Sequence, residues 1–303
     1  MKKQFGFLIL VLVSTLSFAE EANESTTTAE APKVASVPRP KSTVAATAGV
    51  PQNTGGESVA ALPPNSDSKI YGLLDLRPSV STKSGVMGSE NTAEAGYQFN
   101  SNARLTFTQW WNTSKNLSEG LYTHDGFFRL RLNNIVNEGN FSLNYQARLF
   151  LPTFASRRDA GFVAGFYNGL TASYKLSSVY TLSLATAPQF NYYTRAAHAG
   201  KATPGFQNVA MANLNVQFTS RLYLSFPLYM ISTRMNNAPG AANSDSWSHL
   251  LVVWPELGYS LNSNHTIGLS YYSDGLMNST LSKFTLNSGI SNGVLQAFWT
   301  ITI

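Results

Sequence analysis

From Lys69 to Ile303, apolar and polar residues alternate in segments of about ten, separated by clusters of Gly, Pro, Asn, Asp and Ser. A period of two places successive side chains on opposite faces of a strand. The pattern predicts twelve strands, near residues 69–80, 90–99, 103–112, 126–136, 140–151, 165–176, 179–190, 208–218, 221–231, 250–261, 265–273 and 293–303. Links after the even strands are tight: Asn100-Ser101-Asn102, Asn137-Glu138-Gly139-Asn140, Ser177-Ser178, Thr219-Ser220 and Asn262-Ser263-Asn264-His265. Links after the odd strands are longer, at 81–89, 113–125, 152–164, 191–207, 232–249 and 274–292. The stretch LSKFTLNS at 281–288 also alternates, but a spanning strand there would break the rhythm, so it is assigned to the last long link. Two tight corners repeat a sequence: GYQFNSNARLTF (96–107) and GYSLNSNHTIGL (258–269) both pass through Gly-Tyr and Asn-Ser-Asn before alternation resumes.

An even strand number, strands long enough to span a bilayer and alternating short and long links are the marks of an outer-membrane barrel. The outward positions agree. Strand nine presents Leu222, Leu224, Phe226, Leu228 and Met230, and strand twelve presents Leu295, Ala297, Trp299, Ile301 and Ile303. Strand five presents Phe141, Leu143, Tyr145, Ala147, Leu149 and Leu151. None is charged, as expected where a midplane Arg or Lys costs ~2–4 kcal/mol. A soluble ligand-binding barrel has the opposite polarity, with its apolar side chains inside. The expected fold is therefore all-β: a transmembrane antiparallel up-and-down β-barrel of about twelve strands over residues 68–303. The two Asn-Ser-Asn corners become periplasmic turns. Tyr97, Tyr174, Tyr180, Tyr259 and Trp299 fall where an interfacial aromatic belt belongs.

Ahead of the barrel the composition changes. MKKQFGFLILVLVSTLSFA has a basic start, a short apolar run and a small-x-small end. It is expected to be a signal peptide over residues 1–19, since the run is shorter than the ~20 residues of a spanning helix. Residues 20–67 are rich in Thr, Ala, Ser, Pro and Val and hold no aromatic residue, so a disordered periplasmic linker is expected. The chain has no Cys, which excludes disulfides, thiolate metal sites, Cys nucleophiles and a lipid anchor. Net charge is +5, or +3 once Lys2 and Lys3 are removed (19 basic against 16 acidic residues), too little to argue for nucleic acid. Charged residues make up 12% of the chain, about half the ~25% of soluble domains.

On these residues, over 69–303 and including the closing stretch VLQAFWTITI, the chain resembles Gram-negative outer-membrane β-barrel proteins of the monomeric, porin-like, twelve-stranded type. The resemblance implies an outer-membrane location among lipids and lipopolysaccharide. It also implies insertion by the barrel-assembly machinery, which reads the C-terminal strand, and passive diffusion of small hydrophilic solutes without cofactor or metal. The end departs from the usual terminal Phe or Trp, with Ile303 last and Trp299 four residues earlier. The long linker is unusual for simple porins; peptidoglycan or a periplasmic protein is a candidate partner for it.

By parity the inward charges are Asp75, Arg77, Glu94, Arg104, Arg129, Arg131, Arg148, Lys175 and Glu256. Four arginines fall on strands three to five. Strand ten lies across a ring of twelve from strand four, so Tyr223, Tyr229, Trp254 and Tyr272, with Glu256 among them, form a facing aromatic wall. A guanidinium stays charged and binds carboxylates bidentately. The resemblance is to barrels whose arginine-lined lumens carry acidic sugar oligomers. Three readings stay open. The first is a wet, anion-favouring pore. In the second, Arg129, Arg131 and Arg148 pair with Asp75, Glu94 and Glu256 to plug the barrel as a structural anchor. Twelve strands lie between the filled eight-stranded and the open 16-stranded barrels. The third is a loop-based hydrolase using His124, His198 or His249, expected in or beside external loops, with Asp125 and Asp245 nearby. No His is expected within a strand beside an outward Ser.

Overall fold

The computed structural model describes residues 69–113, 121–277, 284–285 and 293–303. The expected signal peptide and linker lie outside the described residues, as does most of 281–288. Twelve long strands are present: β1 (Ile70–Ser81), β2 (Met87–Asn100), β3 (Ala103–Thr113), β4 (Phe127–Glu138), β5 (Phe141–Phe150) and β6 (Phe162–Lys175). They continue as β7 (Tyr180–Tyr193), β8 (Pro204–Gln217), β9 (Leu222–Met235), β10 (Trp247–Val253 and Glu256–Ser260), β11 (His265–Met277) and β12 (Val294–Thr302). Each pairs antiparallel with its sequence neighbours, and β12 pairs with β1, so the sheet closes into a twelve-stranded barrel. Closure leaves no open edge.

Tight turns gather at one end. Both repeated corners form Asx turns: Asn100 Oδ1 accepts the Asn102 N–H at 2.8 Å, and Asn262 Oδ1 accepts those of Asn264 and His265 at 2.8 and 2.9 Å. The shared sequence is thus a shared turn chemistry. The other end carries the longer links, with one correction. Strand pairing between β1 and β2 extends further than the pattern indicated, leaving only residues 82–86, with Gly85 at φ 65°. The third link holds the short helix α1 (Ala155–Asp159). Phe284–Thr285 pairs with Leu276 and Met277, in keeping with a place in the last link.

Two irregularities shape the wall. β10 breaks at Trp254-Pro255, where proline has no N–H for the ladder. β4 bulges between Leu132 and Val136; Asn134 takes φ 53°, and its N–H is held by Asn144 Oδ1 at 2.8 Å. Elsewhere the alternation is plain in β9, where Phe226 and Leu228 are exposed while Tyr223, Ser225 and Tyr229 are buried. Exposed large apolar side chains ring the outside, among them Phe107, Phe128, Leu149, Phe166, Phe190 and Leu269. A soluble monomer's largest apolar patch is about 300–600 Å², so a continuous apolar belt marks a lipid-facing surface.

Candidate functional site

The chemistry lies inside the barrel. Arg129 and Arg131 share the inner face of β4, and the register sets Arg131 directly opposite Arg104 and Arg129 directly opposite Arg148. Like charges directly opposite destabilise a sheet, and here two such pairs adjoin. Glu94 on β2 lies 3.2 Å from Arg129 and 3.9 Å from Arg131. Thr108 Oγ1 donates to the same carboxylate oxygen at 3.3 Å. Arg129 is wholly enclosed, and none of its guanidinium nitrogens has a hydrogen-bond partner among the described residues. Aromatic faces support the guanidinium groups. Arg148 lies 4.6 Å from the Tyr167 ring and 5.2 Å from Phe127, Arg129 lies 5.1 Å from Phe127, and Arg104 lies 4.2 Å from Tyr71.

Arg77 belongs to a second group. Its Nε lies 2.7 Å from Asp75 and its Nη1 2.9 Å from Glu256, a contact that reaches past β12 and β11 to β10. Tyr223 Oη donates to Glu256 at 3.4 Å, and Thr300 Oγ1 donates to Asp75 at 2.9 Å. Gly258 makes this possible: a Cβ there would strike the Tyr223 ring. Glu256 lies beside Tyr223 of the expected aromatic wall, and its ion pair is with Arg77. Glu90, missed because it lies at the predicted edge of strand two, accepts a hydrogen bond from buried Gln296 at 3.2 Å. Lys175, expected inside, is exposed at the tight-turn rim. Among the described side chains of the wall, the inward charges are thus Arg77, Arg104, Arg129, Arg131 and Arg148 against Asp75, Glu90, Glu94 and Glu256, closer to balance than the sequence pattern indicated. The positive excess is local to β3–β5.

The expected aromatic wall lies inside, and apolar side chains link it to the rings that flank the arginines. Tyr229 and Trp254 join Trp110, Phe127, Phe150 and Tyr167 in one apolar cluster that crosses the lumen. Tyr272 packs on it, meeting Trp254 edge to face at 5.5 Å, while Tyr223 sits with Glu256. On the outside, Tyr97, Tyr180, Tyr259 and Trp299 are exposed and Tyr174 is half-buried, all toward the tight-turn end. Trp299 Nε1 donates to His265 at 3.2 Å.

Two further groups occupy the long-loop end. Arg157 on α1 lies 2.7 Å from Asp125, a pair that strand parity could not reveal because both residues are in loops. His198 lies at an exposed corner. His249 requires a correction. It lies within β10, not beside a loop, and its Nδ1 is 2.8 Å from Ser232 Oγ on β9, both at outward positions of the register. Both side chains are buried, and the imidazole stacks on Trp247 with the rings 3° from parallel.

No family model matches the chain, and no curated protein matches it. Among solved structures, an outer membrane channel from Pseudomonas putida F1 is similar with a TM-score of 0.55 at 11% identity, covering 77% of this chain and 95% of that one. The NanC porin gives a TM-score of 0.49 at 11% identity, covering 75% and 98%. The KdgM porin in complex with disordered oligogalacturonate gives 0.48 at 10% identity, covering 76% and 98%. At these identities the likeness concerns the fold alone, which in this chain is a closed twelve-stranded barrel.

Proposed function

We propose that this chain is a porin-like channel of the outer membrane, passing small hydrophilic solutes and favouring anionic ones. The tight turns then face the periplasm and the long links the cell exterior. The observation that carries the reading is the arginine block. A barrel interior that had only to be filled would gain nothing from two directly opposed Arg pairs on adjoining strands. An anionic solute passing β3–β5 would meet Arg104, Arg129, Arg131 and Arg148 in succession, with aromatic faces alongside for stacking. The apolar outer belt and the fold shared with a bacterial outer membrane channel support the location.

A second reading draws on a specific observation: an apolar cluster and the Asp75–Arg77–Glu256 group are both buried inside the barrel. In that reading the barrel is a closed anchor for the segment preceding it. Reconstitution of the purified protein in liposomes separates the two. Swelling in isosmotic small carboxylates or sugars is expected of a channel, with the carboxylates faster. A barrel with the heat-modifiable migration of the folded state and no permeability to either solute, both as wild type and with Arg157→Ala, refutes the channel.

A further inference from the structure

The third long link does not stand out from the barrel; it folds in. Arg157 carries the contact. Its guanidinium lies over the inward-facing Phe162 ring at 3.7 Å, and it donates to Tyr193 Oη at 3.2 and 3.3 Å and to Asn191 Oδ1 at 3.3 Å. Those partners stand at the long-loop ends of β6 and β7. Asp125, just before β4, binds Arg157 from the other side at 2.7 Å and accepts the Phe154 N–H at 3.0 Å. The Asp125 carboxylate is 3% exposed. A further stitch comes from Thr153, which accepts the Gly126 N–H at 2.7 Å and donates to the His124 carbonyl at 3.3 Å. The His124 ring lies between Phe154 of the link and Trp110 of the apolar cluster, at 5.8 and 6.5 Å. The segment 152–161 is thus tied to elements three strands apart and rests on the outer side of the apolar layer.

We infer that segment 152–161 is a latch that closes the outer mouth of the barrel, with Arg157 as its bolt and Asp125 as the catch. This rests on the channel reading above. A buried carboxylate held by one guanidinium and one backbone N–H is a costly arrangement for a loop with no further role. Its neighbours indicate the role: the bolt and its ring contacts cover Phe162 and Tyr193, so withdrawal of the link exposes the apolar layer and frees its aromatic side chains to part.

Planar-bilayer recording on the full chain tests the latch. Arg157→Ala removes the bolt and is expected to raise the open fraction roughly tenfold or more, in keeping with one lost charge-assisted contact. Because the chain lacks Cys, Asp125→Cys with Arg157→Cys can be bridged by a short bis-maleimide without background. The bridged barrel is expected to stay shut, while the same variant capped with N-ethylmaleimide opens as Arg157→Ala does. Equal open fractions in wild type, Arg157→Ala and the bridged variant overturn the latch while leaving the channel standing. If folded wild type and both unbridged variants are all silent, the channel reading falls and the latch falls with it.

Discussion

Glu94→Gln is the most informative change in the arginine block. It keeps the side chain's size and an acceptor for Thr108, and removes the carboxylate that lies in ion-pair contact with Arg129 and Arg131. At 3.2 Å and an effective dielectric of about 20, the pair with Arg129 represents about 5 kcal/mol of Coulomb attraction. Desolvation of both partners offsets much of that in the intact barrel. The substitution, however, leaves Arg129 buried beside Arg148 with its compensating charge gone, and such losses cost about 3–5 kcal/mol. Urea unfolding of the barrel in lipid vesicles, followed by tryptophan fluorescence, measures the change. Arg129→Gln alone is expected to cost less, because it also relieves the opposed pair with Arg148. The double variant should recover about 2–3 kcal/mol relative to the sum of the single changes. Additivity within about 0.5 kcal/mol would refute the placement of Glu94 as the charge that holds the block together.

Other outcomes follow from the barrel and its loops. A tag inserted after Ala199 or Ala241 should be labelled on intact cells and one after Ser101 should not; labelling at Ser101 without membrane damage reverses the orientation. Deleting Thr300 to Ile303 removes the register partners of Leu73, Leu74 and Asp75 and the hydrogen bond from Thr300 to Asp75. Unpaired backbone in lipid is not tolerated, so assembly should fail, and normal heat-modifiable migration of the truncated chain would show otherwise. The latch should respond to pH in two phases. Burial lowers the His124 pKa, with Arg157 adding to this and Asp125 opposing it, so the released imidazole takes up its proton first as pH falls below about 6.5, and the latch loosens. Burial raises the Asp125 pKa, against the opposing charge of Arg157, so the latched carboxyl is protonated before a released one near about 3.9, and the latch tightens again. Open fraction should therefore peak at mildly acidic pH, with His124→Gln removing the rise and Asp125→Asn removing the later fall; a flat profile in wild type contradicts this.

Strand number, turn positions and the inward placement of most charged residues were legible in the sequence because a period of two fixes the face of every strand residue. Lys175 shows the limit: near the end of β6 an inward position does not secure burial. Parity also gives no distances across the ring. Strand tilt and stagger decide which inward residues meet, so the contact between Arg77 and Glu256 and the joining of Phe127, Tyr167 and Trp254 in one cluster could not be read from alternation. Loops carry no period at all, which hid Arg157 and Asp125. Edge uncertainty hid Glu90 and placed His249 outside its strand. The repeated Asn-Ser-Asn corner was the strongest local signal, and its meaning was conformational: the Asn side chain takes the place of a backbone acceptor in both turns.

The central claim is that the arginine block sets the passage of anions. Reversal potential across a planar bilayer under a potassium chloride gradient measures it directly, using the Arg157→Ala barrel to hold the mouth open. The reversal potential should indicate anion preference, weakening as salt rises because mobile ions screen charge over ~8 Å at physiological strength. Adding Arg129→Gln, Arg131→Gln and Arg148→Gln should move it toward cations with modest change in conductance. A reversal potential that indicates cation preference from the start, or that the three substitutions leave unmoved, contradicts the claim.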